Sequence, residues 1–245
     1  RRLMIEIGRR AQAIISDTAA SGQDVVRHLC IPPDRSAKVR AIHCGIDSRF
    51  RPDPEAGPDR SGQPATFLYV GRADPYKNLV GLVEAFALLR KTCPVPVRLM
   101  IAGPRDQRYP EEPARSADLG VADAVVWTGY LSDAALVRAY QDAAALVLPS
   151  RYEGFGLPVL EAMACGTPVI CSGVGALREI GGEAPVFVDP DDTARLAQQM
   201  QRVLTEPGLA AELRLRGPTQ AAGFSWRKTA EQTLSVYRQV AAARK

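Results

Sequence analysis

The sequence is poor in the residues from which metal centres and hydrolytic triads are built. It has two histidines, His28 and His43, and neither lies in a metal-binding pattern such as H-E-x-x-H. Its five cysteines are an odd number and form no C-x-x-C pair, which favours reduced thiols in a cytosolic protein. A histidine-based zinc site or a hydrolytic triad therefore has few candidate residues, and we expect no metal.

Long apolar runs are missing as well. No stretch approaches the ~18 uninterrupted apolar residues that a membrane span needs. No apolar segment typical of a signal peptide follows the first three residues, and the chain does not begin with Met. We therefore expect that the chain is a piece of a longer protein and that this protein lies in the cytoplasm.

Strong charge of one sign is also lacking. The 31 basic and 27 acidic residues leave a net charge of +4, and they alternate along the chain without a basic block interleaved with aromatic residues. This pattern does not indicate a nucleic-acid partner. With 46% hydrophobic residues the chain has enough apolar material for a sizeable core, which excludes a disordered protein.

The chain divides into four parts. Residues 51–64 hold four prolines and two glycines without periodicity, which predicts a linker. Residues 1–50 contain two strand-like runs around a helical stretch, too little for an independent α/β core, so we expect the end of a preceding domain. Residues 65–225 form the main domain, and residues 226–245 a terminal helix.

Within 65–225, apolar runs that end in glycine or proline alternate with helical stretches. This pattern predicts a doubly wound α/β domain with a parallel, Rossmann-like sheet covered on both faces. The predicted strands are 67–71, 98–103, 125–129, 145–149, 169–171 and 186–188, with helices at 79–89, 136–140, 157–165 and 193–204. Ligands bind beyond the carboxyl ends of such strands. The candidate loops therefore begin at Gly71, Gly103, Gly129, Pro149 and Cys171.

The first of these loops carries two cations. Gly71 ends a strand, Arg72 follows it, and Lys77 stands at the entrance of the next helix. Together they could clamp a pyrophosphate above a helix N-terminus. Taken alone, however, two solvated surface charges would explain the pattern better.

The loop after Pro149 is more specific. Glycines 154 and 156 let a ligand approach the backbone, and a helix beginning near Leu157 would direct the amides of residues 155–157 toward an anion. Glu161 lies one turn into that apolar helix, where an unpartnered carboxylate is costly. Sugar hydroxyls would be suitable donors to it, whereas the alternative is that Glu153 and Glu161 are structural carboxylates at a helix start.

Two other patterns are deceptive. Residues 189–192 spell D-x-D, a metal-diphosphate motif, but they precede a helix, so capping explains them better. The glycine pairs 154/156 and 173/175 lack the third glycine of a dinucleotide fingerprint, because Val159 and Arg178 stand at that position. A dehydrogenase is therefore disfavoured.

The segment Glu153–Glu161, E-G-F-G-L-P-V-L-E, resembles the E-x7-E motif of retaining GT-B glycosyltransferases, specifically glycosyltransferase family 4 (group 1). The resemblance continues from residue 13 onward, through short motifs near residues 71–78, 101–104, 127–130, 166–170, 175–180 and 187–190. It implies the C-terminal, donor-binding half of a GT-B enzyme. Residues 1–50 would be the remnant of its N-terminal acceptor domain, and residues 226–245 would cross back and pack partly against that remnant.

The resemblance also implies a role for each site residue. Arg72 and Lys77 would hold the donor diphosphate, and Glu161 would accept hydrogen bonds from the ribose hydroxyls. Glu153 would face the transferred sugar. The backbone of Gly154, Phe155 and Gly156 would face the sugar as well, and the Leu157 amide would help to hold the phosphate. Tyr130 and Leu131 would line the nucleobase pocket largely through their backbone, and Gly71 and Gly103 would be further donor-binding residues.

The implied reaction moves a hexose, with mannose as one candidate, from a nucleoside-diphosphate sugar to a hydroxyl acceptor with retention and without a metal or other cofactor. GDP is slightly favoured over UDP. The acceptor would be a glycan or a lipid-linked glycan. The protein itself could lie at the inner face of the membrane instead of free in the cytoplasm, with a peripheral membrane contact. Two alternatives stay open: a sugar-nucleotide-binding half-domain that is inactive alone, and a GT-B sugar-nucleotide epimerase.

Overall fold

A computed structural model describes residues 2–53, 63–106 and 108–243. Its centre is a six-stranded, all-parallel sheet, as the apolar runs predict. The strands of this sheet are β3 (Ala65–Val70), β4 (Val97–Ala102), β5 (Val125–Gly129), β6 (Ala145–Leu148), β7 (Val169–Ser172) and β8 (Val186–Val188). They lie in the order β5-β4-β3-β6-β7-β8, the doubly wound order of Rossmann-like domains.

The helices cover both faces of the sheet. They are α1 (Arg2–Arg10), α2 (Ala19–His28), α3 (Leu79–Thr92), α4 (Glu111–Asp118), α5 (Asp133–Asp142), α6 (Leu157–Ala164), α7 (Gly175–Gly181), α8 (Thr193–Thr205), α9 (Pro207–Ala221) and α10 (Trp226–Ala242). Helix α3 packs against α4 and α8, whereas α6 packs against α7 and α9. Because the strand order reverses between β3 and β6, right-handed crossovers put α3 and α6 on opposite faces.

Burial on both faces explains why the strands are apolar throughout. Every residue of β6 and of β7 is buried, and the large side chains of Phe67 and Tyr69 in β3 are fully enclosed. A parallel sheet leaves no solvated face on which polar residues could alternate. The fold class expected from the sequence is therefore confirmed.

Four helices were not predicted from the sequence: α1, α4, α7 and α9. Helix α4 is short and mostly polar, and it starts with two glutamates rather than with an apolar run. Helix α9 contains Pro218, and helix α7 has only seven residues and begins and ends with glycine. Helix α9 has no apolar period of its own, whereas α1 and α4 are amphipathic but have only nine and eight residues, too few to show a clear period in the sequence.

Residues 2–50 form a small unit attached to the main domain. Strands β1 (Ile14–Ser16) and β2 (Val39–Ala41) pair in parallel, with α2 as their crossover. The predicted contact of the terminal helix with this unit is confirmed, because Thr229 of α10 donates a hydrogen bond of 2.7 Å to the carbonyl of His43. Gly45 lies so close to α10 that a Cβ there would be 2.0 Å from the backbone nitrogen of Trp226.

The predicted linker 51–64 lies mostly outside the described residues, since residues 54–62 are not described. The four-part division therefore stays a prediction. Of the described helices, none is both long enough and apolar enough to cross a membrane.

Candidate functional site

The loops that follow the parallel strands meet at one edge of the sheet. Gly71 and Gly103, at the ends of β3 and β4, are packed so tightly that a Cβ on Gly103 would lie 1.9 Å from the Gly71 carbonyl oxygen. Gly103 also forms a β-bridge with Gly129 at the end of β5. Glycine is therefore required at position 103 to bring the loop backbones together. A direct contact of Gly71 or Gly103 with a donor stays a prediction.

Lys77 and Glu153 form an ion pair in the loops after β3 and β6. The Lys77 Nζ donates to both carboxylate oxygens of Glu153, at 2.8 and 2.9 Å. The Ser150 hydroxyl donates to the same carboxylate at 2.7 Å. The two charged side chains are only 18% and 8% exposed, so each depends on the other to offset its desolvation.

Arg72 has a different environment. Its side chain is 64% exposed and pairs with Asp74, with Nε 3.1 Å from Oδ2. Its carbonyl accepts a hydrogen bond of 2.7 Å from the hydroxyl of Tyr69, whose pKa is raised mainly by burial. The structure thus places Arg72 and Lys77 on one loop but gives them separate carboxylate partners. Their joint role as a diphosphate clamp stays a prediction.

The N-terminus of α6 presents backbone amides. Gly156 has a φ of +99°, and a Cβ there would lie 2.3 Å from Leu177 Cδ2, so only glycine fits this turn into the helix. The backbone amides of Phe155, Gly156 and Leu157 donate no hydrogen bond to any described residue. Unpaired amides at a helix start favour an anion such as a phosphate.

The side chains of Phe155 and Leu157, next to that turn, lie in different environments. The Phe155 ring is buried and lies 6.2 Å from the rings of both His43 and Phe224. Leu157 is 38% exposed at the start of α6. Phe155 therefore anchors the loop through its ring, which leaves its backbone amide as the group available to a ligand.

Glu161 is largely buried and has an internal partner that the sequence analysis did not name. Its Oε2 accepts a hydrogen bond of 2.7 Å from the hydroxyl of Tyr140, which is fully buried. Burial raises the pKa of Glu161, and the bond from Tyr140 and the charge of Arg49 offset part of that rise. Within the described part of the chain no group donates to Oε1. The carboxylate thus keeps one oxygen for a further donor, and its predicted contact with ribose remains untested.

Tyr130 and Leu131 follow Gly129 at the end of β5. Tyr130 is 85% exposed, whereas Leu131 is half-buried and packs on the core. Gly129 turns the backbone with a φ of +68°, a left-handed conformation that favours glycine at this position. A nucleobase role for Tyr130 and Leu131 stays a prediction.

The D-x-D pattern after β8 caps a helix, as the sequence analysis predicted. The side chain of Asp192 accepts a hydrogen bond of 2.8 Å from the backbone of Arg195 at the start of α8. Asp191 pairs with Arg151 at 2.8 Å. Across residues 2–53, 63–106 and 108–243, no group of three or more His, Cys, Asp and Glu side chains is arranged to hold a metal ion.

Sequence reasoning missed several polar residues that hold the site together: Thr18, Ser21, Tyr140, Ser150 and Glu179. Ser150 directly follows a buried strand, a position that could have marked it. Thr18 and Ser21 lie far from the glycine-rich loop in sequence, and the contacts of Tyr140 and Glu179 also arise only when the chain folds.

Comparison with known proteins identifies relatives over nearly the whole chain. It is 36% identical to a D-inositol 3-phosphate glycosyltransferase of Acidothermus cellulolyticus, over 96% of this chain and 55% of that protein. It is 31% identical to O-antigen chain mannosyltransferase B of Escherichia coli, over 93% of this chain and 61% of that protein. The chain therefore spans little more than half the length of these relatives.

Solved structures agree in fold. The sucrose-phosphate synthase of Thermosynechococcus elongatus superposes with a TM-score of 0.83 at 31% identity, over 99% of this chain and 61% of that one. HepE of Anabaena, solved in complex with UDP and glucose, superposes with a TM-score of 0.84 at 20% identity, over 97% of this chain and 66% of that one. The likeness places the domain in the GT-B fold.

A family model agrees with both comparisons. The model of the glycosyl transferases group 1 matches residues 53–220, which is more than half of the chain and includes the strand-end loops described above. This chain is a member of the group 1 glycosyl transferase family.

Proposed function

We propose that the chain binds a nucleoside-diphosphate sugar and serves in transfer of its hexose to a hydroxyl acceptor. The observation that carries this proposal is the arrangement at one sheet edge of a mostly buried Lys77–Glu153 pair and the unpaired amides at the start of α6. Cationic and amide donors suit a diphosphate, and a carboxylate beside them suits the hydroxyls of a sugar. The names of the relatives, which include glycosyltransferases and mannosyltransferases, support the same reaction class.

In the proposed reaction the bond between the sugar's C1 and the diphosphate oxygen breaks, and its electron pair goes to the diphosphate. A bond forms between C1 and the acceptor oxygen, whose proton passes to the departing diphosphate. Negative charge grows on the diphosphate, where Arg72, Lys77 and the α6 amides would stabilise it. Lys77 has three protons on Nζ, and Glu153 accepts two of them, so a third is available to a phosphate oxygen.

Positive charge that grows on the sugar ring would be tempered by the carboxylate of Glu153. Glu161 would hold the ribose through Oε1, since Oε2 is occupied by Tyr140. We include in the proposal retention of configuration as in glycosyltransferase family 4, a reaction without a metal, and a cytoplasmic location. For retention, the acceptor must approach the face from which the diphosphate departs.

The base of the donor is part of the proposal. We favour a GDP-sugar, as the sequence resemblance implies, and mannose as the hexose, which the names of two mannosyltransferase relatives support. A UDP-sugar is the alternative, supported by the neighbours solved with UDP and UDP-glucose. Thermal unfolding of the chain with each nucleotide and sugar nucleotide tests the choice, because a ligand at ~100 times its dissociation constant adds ~2.7 kcal/mol of stability. Stabilisation by neither base would contradict the proposal.

A second candidate is a donor-binding half that does not turn over without further chain. The coverage of only 55% and 61% of the two relatives favours it, since the acceptor would bind on the part they have in addition. Product analysis with a labelled donor and a panel of acceptors separates the cases. Transfer to an acceptor supports the enzyme, binding without turnover supports the half-domain, and a changed sugar without transfer supports an epimerase.

The diphosphate contact can be tested separately. Lys77→Ala should weaken the binding of a nucleoside diphosphate by about 1.5–3 kcal/mol and leave nucleoside binding nearly unchanged, because only the diphosphate meets the ammonium group. Isothermal calorimetry with both ligands measures the difference. Lys91→Ala, on the exposed end of α3, is the control. Equal losses for both ligands would remove Lys77 from the clamp.

A further inference from the structure

The glycine-rich loop is held by hydroxyl groups from a distant part of the chain. The Gly154 carbonyl accepts hydrogen bonds from Thr18 Oγ1 at 2.9 Å and from Ser21 Oγ at 2.7 Å. These two residues stand at the start of α2, more than 130 positions earlier in the sequence. Thr18 is fully buried and also caps α2 by accepting from the Ser21 amide.

The start of α2 is itself anchored to the main domain. The carboxylate of Glu179 in α7 accepts the amides of Ala19 at 2.8 Å and Ala20 at 3.1 Å, and it lies 2.7 Å from His43 Nε2. Burial opposes the charge on Glu179, but these hydrogen bonds outweigh it and lower the pKa of the carboxyl group. The charged carboxylate at a helix N-terminus is favourable, so the two hydroxyls are presented from a fixed helix end.

Peptide geometry transmits this contact to the ligand side of the loop. In a planar trans peptide, the Gly154 carbonyl and the Phe155 N–H point in opposite directions. A carbonyl held toward α2 therefore directs the Phe155 amide away from α2. Gly154 has no side chain whose packing could fix this peptide, and a Cβ built there would meet only Ser21 Oγ, at 3.7 Å.

We propose that Thr18 and Ser21 are positioning residues for donor binding: they hold the Gly154 carbonyl and thereby aim the Phe155 amide at the sugar diphosphate. The inference rests on the proposed function. It assigns to residues 18–21, outside the segment that the family model matches, a part in shaping the donor site.

The test compares hydroxyl deletions in the chain. Ser21→Ala, which keeps the Thr18 cap, should weaken binding of the preferred sugar nucleotide about two- to tenfold, the range of one neutral hydrogen bond. Thr18→Val combined with Ser21→Ala should weaken binding further. Thr18→Ser in place of Thr18→Val should bring the affinity back to that of Ser21→Ala alone, because serine keeps the hydroxyl. Binding of the nucleoside alone should stay within twofold of the parent chain, because the nucleoside does not reach the Phe155 amide.

Thr229→Val is the matched control, since it deletes a hydroxyl that donates to a carbonyl at 2.7 Å between α10 and residues 2–50 without touching the loop. It should leave sugar-nucleotide affinity unchanged. The Phe155 amide resonance, followed by NMR, should shift in Ser21→Ala and stay in place in Thr229→Val.

The outcomes separate two failures. If the parent chain binds no sugar nucleotide, the proposed function fails and this inference with it. If the parent chain binds but Ser21→Ala and the double variant bind equally well, or the nucleoside loses affinity to the same degree, only the positioning role is overturned.

Discussion

The two glutamates of the E-x7-E segment share a motif but have different electrostatic environments. Glu153 stands in a loop with a cation and a hydroxyl on its carboxylate. Glu161 stands in an apolar helix with a neutral phenol as its described side-chain partner. A full opposite charge offsets the desolvation of Glu153, whereas burial still raises the pKa of Glu161. The charge of Glu153 is thus compensated by an ion pair, whereas the charge of Glu161 is only partly compensated, although the two residues are eight positions apart.

Removing the cation should have the largest effect on stability. Lys77→Ala leaves the Glu153 carboxylate 8% exposed without its charged partner, so we expect a loss of ~3 kcal/mol in the free energy of unfolding. Urea denaturation measures it. The double variant Lys77→Ala/Glu153→Ala should recover part of the loss, because no buried charge is then left unpaired. A double variant as unstable as the single one would mean that packing, and not charge, holds the two loops.

Removing the neutral partner of Glu161 should cost less. We expect Tyr140→Phe to lower stability by about 1–3 kcal/mol at neutral pH, because a buried carboxylate oxygen loses its donor. The effect should depend on pH. A raised pKa for Glu161 in the folded chain means that the folded state binds more protons than the unfolded state, so the contribution of Glu161 falls as pH rises from about 4.3 toward the folded pKa.

Tyr140→Phe raises that pKa further, since the hydroxyl favours the charged form. The gap between the parent chain and the variant should therefore widen with rising pH and then level off above the variant's pKa. Denaturation curves from pH 4 to pH 8 measure the gap. A gap that is constant over this range would show that the Tyr140 hydroxyl does not act on the charge of Glu161.

The ribose assignment is tested by a smaller, ligand-dependent effect. Glu161→Gln keeps the shape and one acceptor oxygen but loses the charge that strengthens hydrogen bonds, so we expect a loss of ~1 kcal/mol for nucleotides with intact 2′- and 3′-hydroxyls. Calorimetry with a normal and a dideoxy nucleotide measures the selectivity. Equal losses for both would remove the ribose role, and a large fall in melting temperature without ligand would instead indicate a structural carboxylate.

Arg72 should show the smallest effect on the unliganded chain. Its guanidinium is 64% exposed beside Asp74, and exposed pairs contribute ~0–1 kcal/mol. Arg72→Ala should therefore leave the melting temperature almost unchanged, in contrast to Lys77→Ala. A loss as large as that of Lys77→Ala would contradict the division between the buried and the exposed cation.

The fold and the loops of the site could be predicted because their signals are local. Strands 145–149 and 169–171 are apolar without interruption, and each glycine or proline that ends a strand marks a turn at one sheet edge. The capping role of Asp192 also followed from its position before a helix. Helix α9 was missed because it has no apolar period of its own, and α4 because eight residues are too few to show one. Packing stabilises both helices.

The partners of the site residues depended on contacts between distant segments. The sequence alone determined a doubly wound sheet, the loops at its carboxyl edge and the two glutamates with Lys77 among the candidate residues. Only the tertiary structure decided that Lys77 pairs with Glu153, that Tyr140 bonds Glu161, and that Thr18 reaches Gly154. The physical reason is that helix and strand periods depend on residues that are neighbours in the sequence. A hydrogen bond or ion pair between distant segments depends instead on distances that exist only after the core has packed.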